Sequence, residues 1–500
     1  MVLTCLSMAG CKKNPDNDEI SEYSDYTDAE SVPEETESVQ ETASEEEIDT
    51  SSKQPTKKPT KKPTKKPSAG VLNNTTATAE EMYPNKWTAT KSLSQMPTIY
   101  KEKGASGTVS MLASAKIEDA KYKEYAKYFK ELTGKDLDIK YTLTGWNNLP
   151  AQLQTMVYAK KSPDFVQPIY QGVTVYLRNK GLLRNTNDFI NLNDAAFLPI
   201  RDYNGIMFYE GEMKALAVNY PTLQAQLFYN KNMIKAAGLA DPWELYTKGE
   251  WTADKLFGEY LDKLNVVKNG ATQVYGVSII HTRVLIMGIS GAGGHDIVKI
   301  NSKGRFVNNL DDPAWARYAG YCKKMGDMKA YDPLCVTQNN VTNGTAAFTN
   351  YCIDDASTTK MRKAGILGFV PFPRDASDSK HYLWMELTYG MLPVNSTNPW
   401  GGAALLYAMR LDAENTYQDK DTRVKNHLDR GYPQDQAEFL AYGYTKHPAA
   451  FVFWDNMTDF NFSTLTDVVT TDWAVVKEKV YPILDKALKS ENKASVSVKK

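Results

Sequence analysis

The sequence predicts an α/β protein of two lobes preceded by a long unstructured N-terminal segment. At 500 residues it is about three times the length of one domain, too long for a single compact core. From Gly107 onward strand-like and helix-like stretches alternate, whereas the first hundred residues are dominated by acids and then by Pro and Lys. With 42% hydrophobic and 11% aromatic residues the chain can bury a sizeable core, which excludes a small disulfide-stapled module. No apolar run approaches the roughly 20 residues of a membrane span, which excludes a channel or permease. The balance of 59 Lys+Arg against 60 Asp+Glu creates no global field that would draw the protein onto nucleic acid.

Residues 1–10 are a short apolar stretch ending in small side chains, followed by Cys11, Lys12 and Lys13. Met8-Ala9-Gly10-Cys11 resembles the end of a bacterial lipoprotein signal, with Met where Leu is usual. The resemblance implies cleavage before Cys11, acylation of its thiol and a membrane anchor on the extracellular face. From Asn14 to Thr50 there are 15 acidic residues and no Lys or Arg, so residues 14–52 bury too little to offset ordering entropy. Residues 53–67 repeat Pro-Thr-Lys-Lys and carry seven Lys and no acid. Proline favours polyproline II there and the lysines repel, which predicts a stiff, solvated spacer. The lipid-anchored disordered linker is expected to span residues 11–104.

The folded part opens with TVSMLAS (Thr108 to Ser114), a strand pattern. KYKEYAKYFKELTG places Tyr125, Phe129 and Leu132 at helical spacing and stops at Gly134, a C-cap residue. DLDIKYTLTG reads as a second strand. WNNLPAQLQTMVYAKK is a helix with Leu149, Leu153, Met156 and Val157 on one face, and SPDFVQPI is a third strand. This alternation predicts largely parallel sheets, with ligands beyond the carboxyl ends of the strands. Ser114 to Lys116, Thr144 to Asn147 and Pro168 to Gln171 lie at those ends.

Longer segments carry a family resemblance. They are the Pro163-Asp164 strand with Gly181-Leu182-Leu183 after it, Tyr229-Asn230-Lys231 with Gly238-Leu239, Trp251-Thr252, and Gly291 to Gly294 followed by Asp312-Pro313. The segments 343–352, 366–377 and 389–411 complete an ordered set. From about residue 107 to 489 the chain resembles a family 1 bacterial extracellular solute-binding protein, the class that includes maltose-binding protein and other sugar receptors of ABC importers. The resemblance implies a two-lobe periplasmic-binding-protein-like fold with a hinge of crossover strands. Lobe I would take residues 105–222 and 388–425, lobe II residues 226–384 and 430–489, with a tail at 490–500. The hinge would lie near Pro221 to Gln226 and Leu387 to Gly390.

The residues themselves add chemistry. Thr252 can cap a helix beginning at Ala253, and Tyr229-Asn230-Lys231 closes a strand and opens a helix. Gly291, Gly293 and Gly294 give a loop backbone freedom to approach a ligand, but lack the Lys-Ser/Thr ending of a phosphate loop. The five histidines show no metal-ligand spacing, Ser290 is not in a nucleophile elbow, and Cys322, Cys335 and Cys352 match no zinc or redox pattern. No catalytic residue, metal or cofactor is expected. Adjacent acids, Asp311-Asp312 and Asp354-Asp355, sit beside turns, where such pairs are usually solvated.

Tyr at 30 and Trp at 9 suit a carbohydrate site, which needs aromatic planes beside side chains able to hydrogen-bond hydroxyls. Lys116, Trp146, Tyr170 and Gln171 are candidate ligand contacts from lobe I. Gln224 lies at the hinge, and His295, Tyr351, Trp384, Glu386 and Trp454 are candidates from lobe II and the crossovers. The function this implies is a monomeric, lipid-anchored receptor. It captures a small solute, a neutral oligosaccharide, and delivers it to an ABC permease by closing its lobes. An anchored sensor or adhesion protein with the same fold is the alternative. An enzyme working through facing carboxylates, with Glu386 as the acid to watch, is a further one.

Overall fold

The computed structural model describes residues 77–223, 226–278, 282–301, 305–332, 339–350, 355–450, 460 and 462–492. The signal segment, Cys11, both low-complexity tracts, Gln224, Cys335, Tyr351, Cys352 and Trp454 lie outside the described residues. All that is described belongs to one unit, Lys66–Lys500.

The first sheet is built from β1 (Thr108–Ala113), β2 (Asp138–Leu143), β3 (Phe165–Tyr170), β4 (Ala215–Ala217) and a strand from far along the chain, β12 (Thr388–Met391). Its order is β2-β1-β3-β12-β4. The helices between its strands follow the sequence pattern. Helix α1 (Asp119–Thr133) buries Phe129 and Leu132 and ends at Gly134, whose φ of 71° lets its N–H reach the Lys130 carbonyl at 2.8 Å. Helix α2 (Leu149–Tyr158) buries Leu149, Leu153 and Val157. Helix α3 (Gln171–Asn179) leaves β3 directly. The Pro-Asp motif is a clamp. The Asp164 carboxylate accepts from Ser110 N at 2.9 Å, Ser396 Oγ at 2.8 Å and Asn398 N at 2.8 Å. It thus ties β1 to the start of the long helix Pro399–Gln418, which is apolar on most sides and deeply buried.

The second sheet has the same plan. It contains β6 (Gln226–Asn230), β7 (Ala271–Ser278), β8 (Tyr331–Asp332), β9 (Ala346–Thr349) and β10 (Leu367–Pro371) in the order β8-β7-β9-β6-β10. Asn230 closes β6 and caps the next helix by accepting from Asn232 N at 3.0 Å and Met233 N at 3.2 Å. Trp251 is buried with its Nε1 on the Pro371 carbonyl at 3.0 Å, beside Thr252.

Neither sheet is wholly parallel. Each receives one strand, β12 or β6, that runs antiparallel to both of its neighbours. Both enter from a third, small sheet made of β5 (Thr222–Leu223), β11 (Leu383–Glu386) and β13 (Ala449–Ala450). The chain passes from β5 into β6 and from β11 into β12, so a crossing strand necessarily runs against the strands it joins. The regions of the two large sheets also touch through Arg305 Nη2 on Glu210 Oε1 at 2.9 Å and Lys180 Nζ on the Ser490 carbonyl at 2.9 Å.

The packed chain begins earlier than its composition suggests. Residues 77–105, all but the last expected within the linker, form a strap whose Met82, Tyr83, Tyr100 and Ala105 are buried. Asn187 Nδ2 donates to the Met82 carbonyl at 2.8 Å, Asn191 Nδ2 to Trp87 at 2.8 Å and Asn193 Nδ2 to Tyr83 at 3.2 Å. Trp87 and Tyr100 both meet the Trp400 ring edge to face. A few aromatic anchors and three amides suffice to hold a segment that has no strong period of its own. At the other end the last helix runs Trp473–Glu491, past the expected start of the tail, and Asn492 Nδ2 bonds the Phe306 carbonyl at 2.7 Å.

Candidate functional site

Strand β2 ends at Leu143, and Trp146 opens a short turn that runs into α2. Its ring therefore emerges at the carboxyl edge of the first sheet. Tyr170, the last residue of β3, emerges at the same edge, and the two rings meet edge to face with centroids 5.6 Å apart and planes at 63°. Both are half-buried. Lys116, beyond the end of β1, is exposed, and Ser114 in that loop is held by Gln167 through two contacts of 2.8 Å.

The strand from the small sheet supplies the other side. Leu383, Met385, Leu387 and Tyr389 are buried while Trp384, Glu386 and Thr388 between them are half-exposed. Period-two alternation puts those three on one face. Thr388 stands opposite Tyr170 in antiparallel register, so their side chains share a face with Cβ atoms about 5 Å apart. Glu386 stands opposite Thr222. Asn219 Nδ2 donates to Thr388 Oγ1 at 3.4 Å. Trp146, Tyr170, Thr388, Glu386 and Trp384 thus form a continuous path from the edge of the first sheet onto the small sheet. Asn219, Thr222 and Thr388 were not among the residues singled out from sequence. The apolar-polar alternation of 383–389 was the signal that could have placed Thr388 beside Trp384 and Glu386.

His295 lies in a different setting. Its Nδ1 is 2.9 Å from Asp312 Oδ2 and its Nε2 is 3.2 Å from Asp378 Oδ1. Arg317 Nη2 reaches the same Asp378 oxygen at 3.2 Å, and the Tyr318 hydroxyl donates to the other. Burial disfavours the charged ring, but the hydrogen bonds to Asp378 and Asp312 outweigh that and hold its pKa above the ordinary histidine value. Both ring nitrogens have carboxylate partners within the protein. The glycines beside it also serve packing. Gly291 and Gly293 belong to the helix Thr282–Gly293, and a Cβ at Gly293 would strike Tyr318 and Asp378. Their freedom admits the protein's own side chains, where the sequence suggested a ligand loop.

The remaining candidates divide simply. Gln171 opens α3, with its side chain outside the described residues, as are Gln224, Tyr351 and Trp454 entirely. The adjacent acids are structural where described. Asp312 Oδ1 accepts from Ala314 N at 3.0 Å, Asp311 pairs with Lys477 at 2.7 Å, and Asp355 caps the helix Ala356–Lys363. Cys322 is buried, which pushes its thiol up to about 12. Among the described residues no group of His, Cys, Asp and Glu could hold a metal ion, and no helix is long and apolar enough to cross a membrane. A surface cavity of about 720 Å³ lies under the strap, against Trp87, Lys91, Asn193 and Leu198, and none of the candidate residues lines it.

Residues 124–424 match the family model of bacterial extracellular solute-binding proteins, and the chain belongs to that family. A comparison with curated proteins finds no match. Among solved structures, an ABC substrate-binding protein of Listeria monocytogenes in complex with cycloalternan superposes with a TM-score of 0.52 at 15% identity, covering 76% of this chain and 98% of the other. An extracellular solute-binding protein of Staphylococcus aureus in complex with maltose gives 0.54 at 15% identity, with 77% and 98% covered. A further structure from Listeria monocytogenes EGD-e gives 0.56 at 14% identity, with 77% and 100% covered. At such identities the likeness is one of fold. The family is one of extracellular solute-binding proteins, and the cycloalternan and maltose complexes are of substrate- and solute-binding proteins.

Proposed function

We propose that the protein is an extracellular receptor that captures a neutral oligosaccharide and hands it to an ABC permease. One observation carries this reading. The aromatic pair Trp146–Tyr170 abuts the half-exposed Trp384-Glu386-Thr388 face at the place where the connecting strands leave the first sheet. Aromatic planes beside amide, hydroxyl and carboxylate groups are what a sugar ring requires, with its apolar C–H faces and ring of hydroxyls. That the similar structures are complexes with cycloalternan and maltose supports a glycan as the solute.

In this reading lobe I comprises residues 105–222 and 388–425 and lobe II residues 226–384 and 430–489, with the small sheet as the hinge. A ligand that touches both lobes stabilises the closed form through contacts the open form lacks, and the permease responds to closure. Lys116, Gln171, Gln224, Tyr351 and Trp454 complete the proposed contacts at the rim and from lobe II, whereas His295, with a carboxylate at each ring nitrogen, is left to the fold. The protein acts as a monomer, without catalysis, tethered through a lipid on Cys11.

Isothermal titration and thermal shift of the full chain against mono- and oligosaccharides, amino acids and polyamines test this. A neutral oligosaccharide should bind, raise the melting temperature and be recovered intact, since a ligand at 100 times its Kd stabilises by about 2.7 kcal/mol. Tight binding of a charged small molecule and of no glycan would overturn the reading, and consumption of the bound glycan would turn it into an enzyme.

A further inference from the structure

Resting on the glycan-receptor reading, we propose that Asn219 and Thr388 form its hydrogen-bonding arm, an amide and a hydroxyl that together hold two adjacent hydroxyls of a neutral sugar ring seated against Trp146 and Tyr170. Thr388 shares a sheet face with Tyr170, directly across the β3–β12 pairing. Tyr170 in turn meets Trp146. Asn219 is exposed and Thr388 half-exposed, and a single long contact of 3.4 Å joins them. After that contact the amide still has an N–H and a carbonyl oxygen, and the threonine still has its O–H. The pair can therefore donate and accept at once, which matches a vicinal diol, whose hydroxyls also do both.

The arm is held in place before any ligand arrives. The residue before Asn219, Val218, donates its N–H to the Thr388 carbonyl at 3.1 Å and accepts at its own carbonyl from Arg410 Nη1 at 3.2 Å. The residue after it, Tyr220, stacks on Tyr417 with planes at 13° and donates its hydroxyl to Glu414 Oε2 at 2.9 Å. Arg410 and Glu414 are themselves buried and paired. Asn219 thus sits between two anchored residues, so little ordering is needed when a ligand is bound. Ligand charge is constrained as well. Glu386, two residues before Thr388 on the same face, opposes a carboxylate or phosphate there and leaves neutral rings favoured.

The test is titration of the full-length protein, native and as Asn219→Ala and Thr388→Val, with maltotriose, cellotriose and raffinose and with singly deoxygenated analogues of whichever binds. Each variant should weaken binding by about tenfold, the scale of one lost hydrogen bond, with an unchanged melting temperature. The analogue lacking the hydroxyl held by the arm should bind native protein about tenfold more weakly, yet lose nothing further in Asn219→Ala. Equal affinity of native protein and both variants for the bound trisaccharide would leave the receptor reading standing and remove the arm. A uniform loss across all analogues would mark a merely structural role and also overturn it. If the native protein binds no glycan at all, the receptor reading fails and this inference fails with it.

Discussion

The cluster around Trp146 and Tyr170 and the cluster around His295 are built from similar side chains, aromatic rings beside hydrogen-bonding groups, and they differ in the ion pairs that hold the second together. Around His295 every strong group meets a partner of opposite character. Two carboxylates take the imidazole nitrogens, Arg317 bridges Asp378 and Asp375, and the single proton of the Tyr321 hydroxyl lies between Asp375 at 3.0 Å and Asp254 at 2.9 Å. Around Trp146 the rings meet edge to face, and the neighbouring strand face is half-exposed. A self-satisfied polar cluster fixes a fold. One that presents rings and polar groups to solvent can take up a ligand in the same currency of hydrogen bonds and apolar contact.

The comparison breaks most visibly at Asp378. Its side chain is only 5% exposed, so Asp378→Ala strands the Tyr318 hydroxyl and takes from Arg317 and His295 one of their two carboxylate partners each. It should cost about 3 kcal/mol, the lower end for opening a buried ion pair, measured by urea unfolding, with glycan affinity in the folded variant changed by less than about threefold. A smaller free-energy change, and the opposite pattern, is expected at Trp146. Trp146→Ala should weaken glycan binding by about thirtyfold, as removing an aromatic anchor of about 2 kcal/mol does, while the urea midpoint barely moves. Equal losses of stability in the two variants would erase the distinction.

A pH series sharpens it further. Because the folded pKa of His295 is raised, its contribution to stability is fully present below the unfolded value of about 6.5 and fades as pH rises through the folded value. The stability difference between native protein and His295→Gln should therefore shrink from pH 6 to pH 9 in unfolding experiments, whereas the difference for Trp146→Ala should stay flat. Smallest of all is Lys116→Ala. An exposed rim charge contributes little to holding a neutral ligand, so its affinity should change by less than about twofold in calorimetry at two salt concentrations.

What could be read from sequence follows the range of the interactions involved. Helix α1 and its Gly134 stop are local matters of 3.6-residue spacing and a positive φ, and they lie within two residues of expectation. The antiparallel course of Gln226–Asn230 and Thr388–Met391 was not legible, because strand direction is set by the small sheet through which each segment enters. The strap at 77–105 was hidden for a related reason. Its anchors are amides of Asn187, Asn191 and Asn193, about a hundred residues away. At the candidate site, residue type pointed to Trp146, Tyr170 and His295 alike. Only the positions of Asp312 and Asp378 separate them, and small polar residues such as Asn219 acquire meaning only through the strand opposite.

The strap also decides how the molecule carries a load. Its described partners include Asn187, Asn191, Asn193, Asp194, Arg201, Trp400 and Tyr407, all packed around the first sheet. Tension transmitted along the chain through residue 77 therefore enters that half first. The second sheet lies beyond it, reached through the connecting segments and the Arg305–Glu210 and Lys180–Ser490 contacts, so it hangs like a door on a frame that takes the pull first.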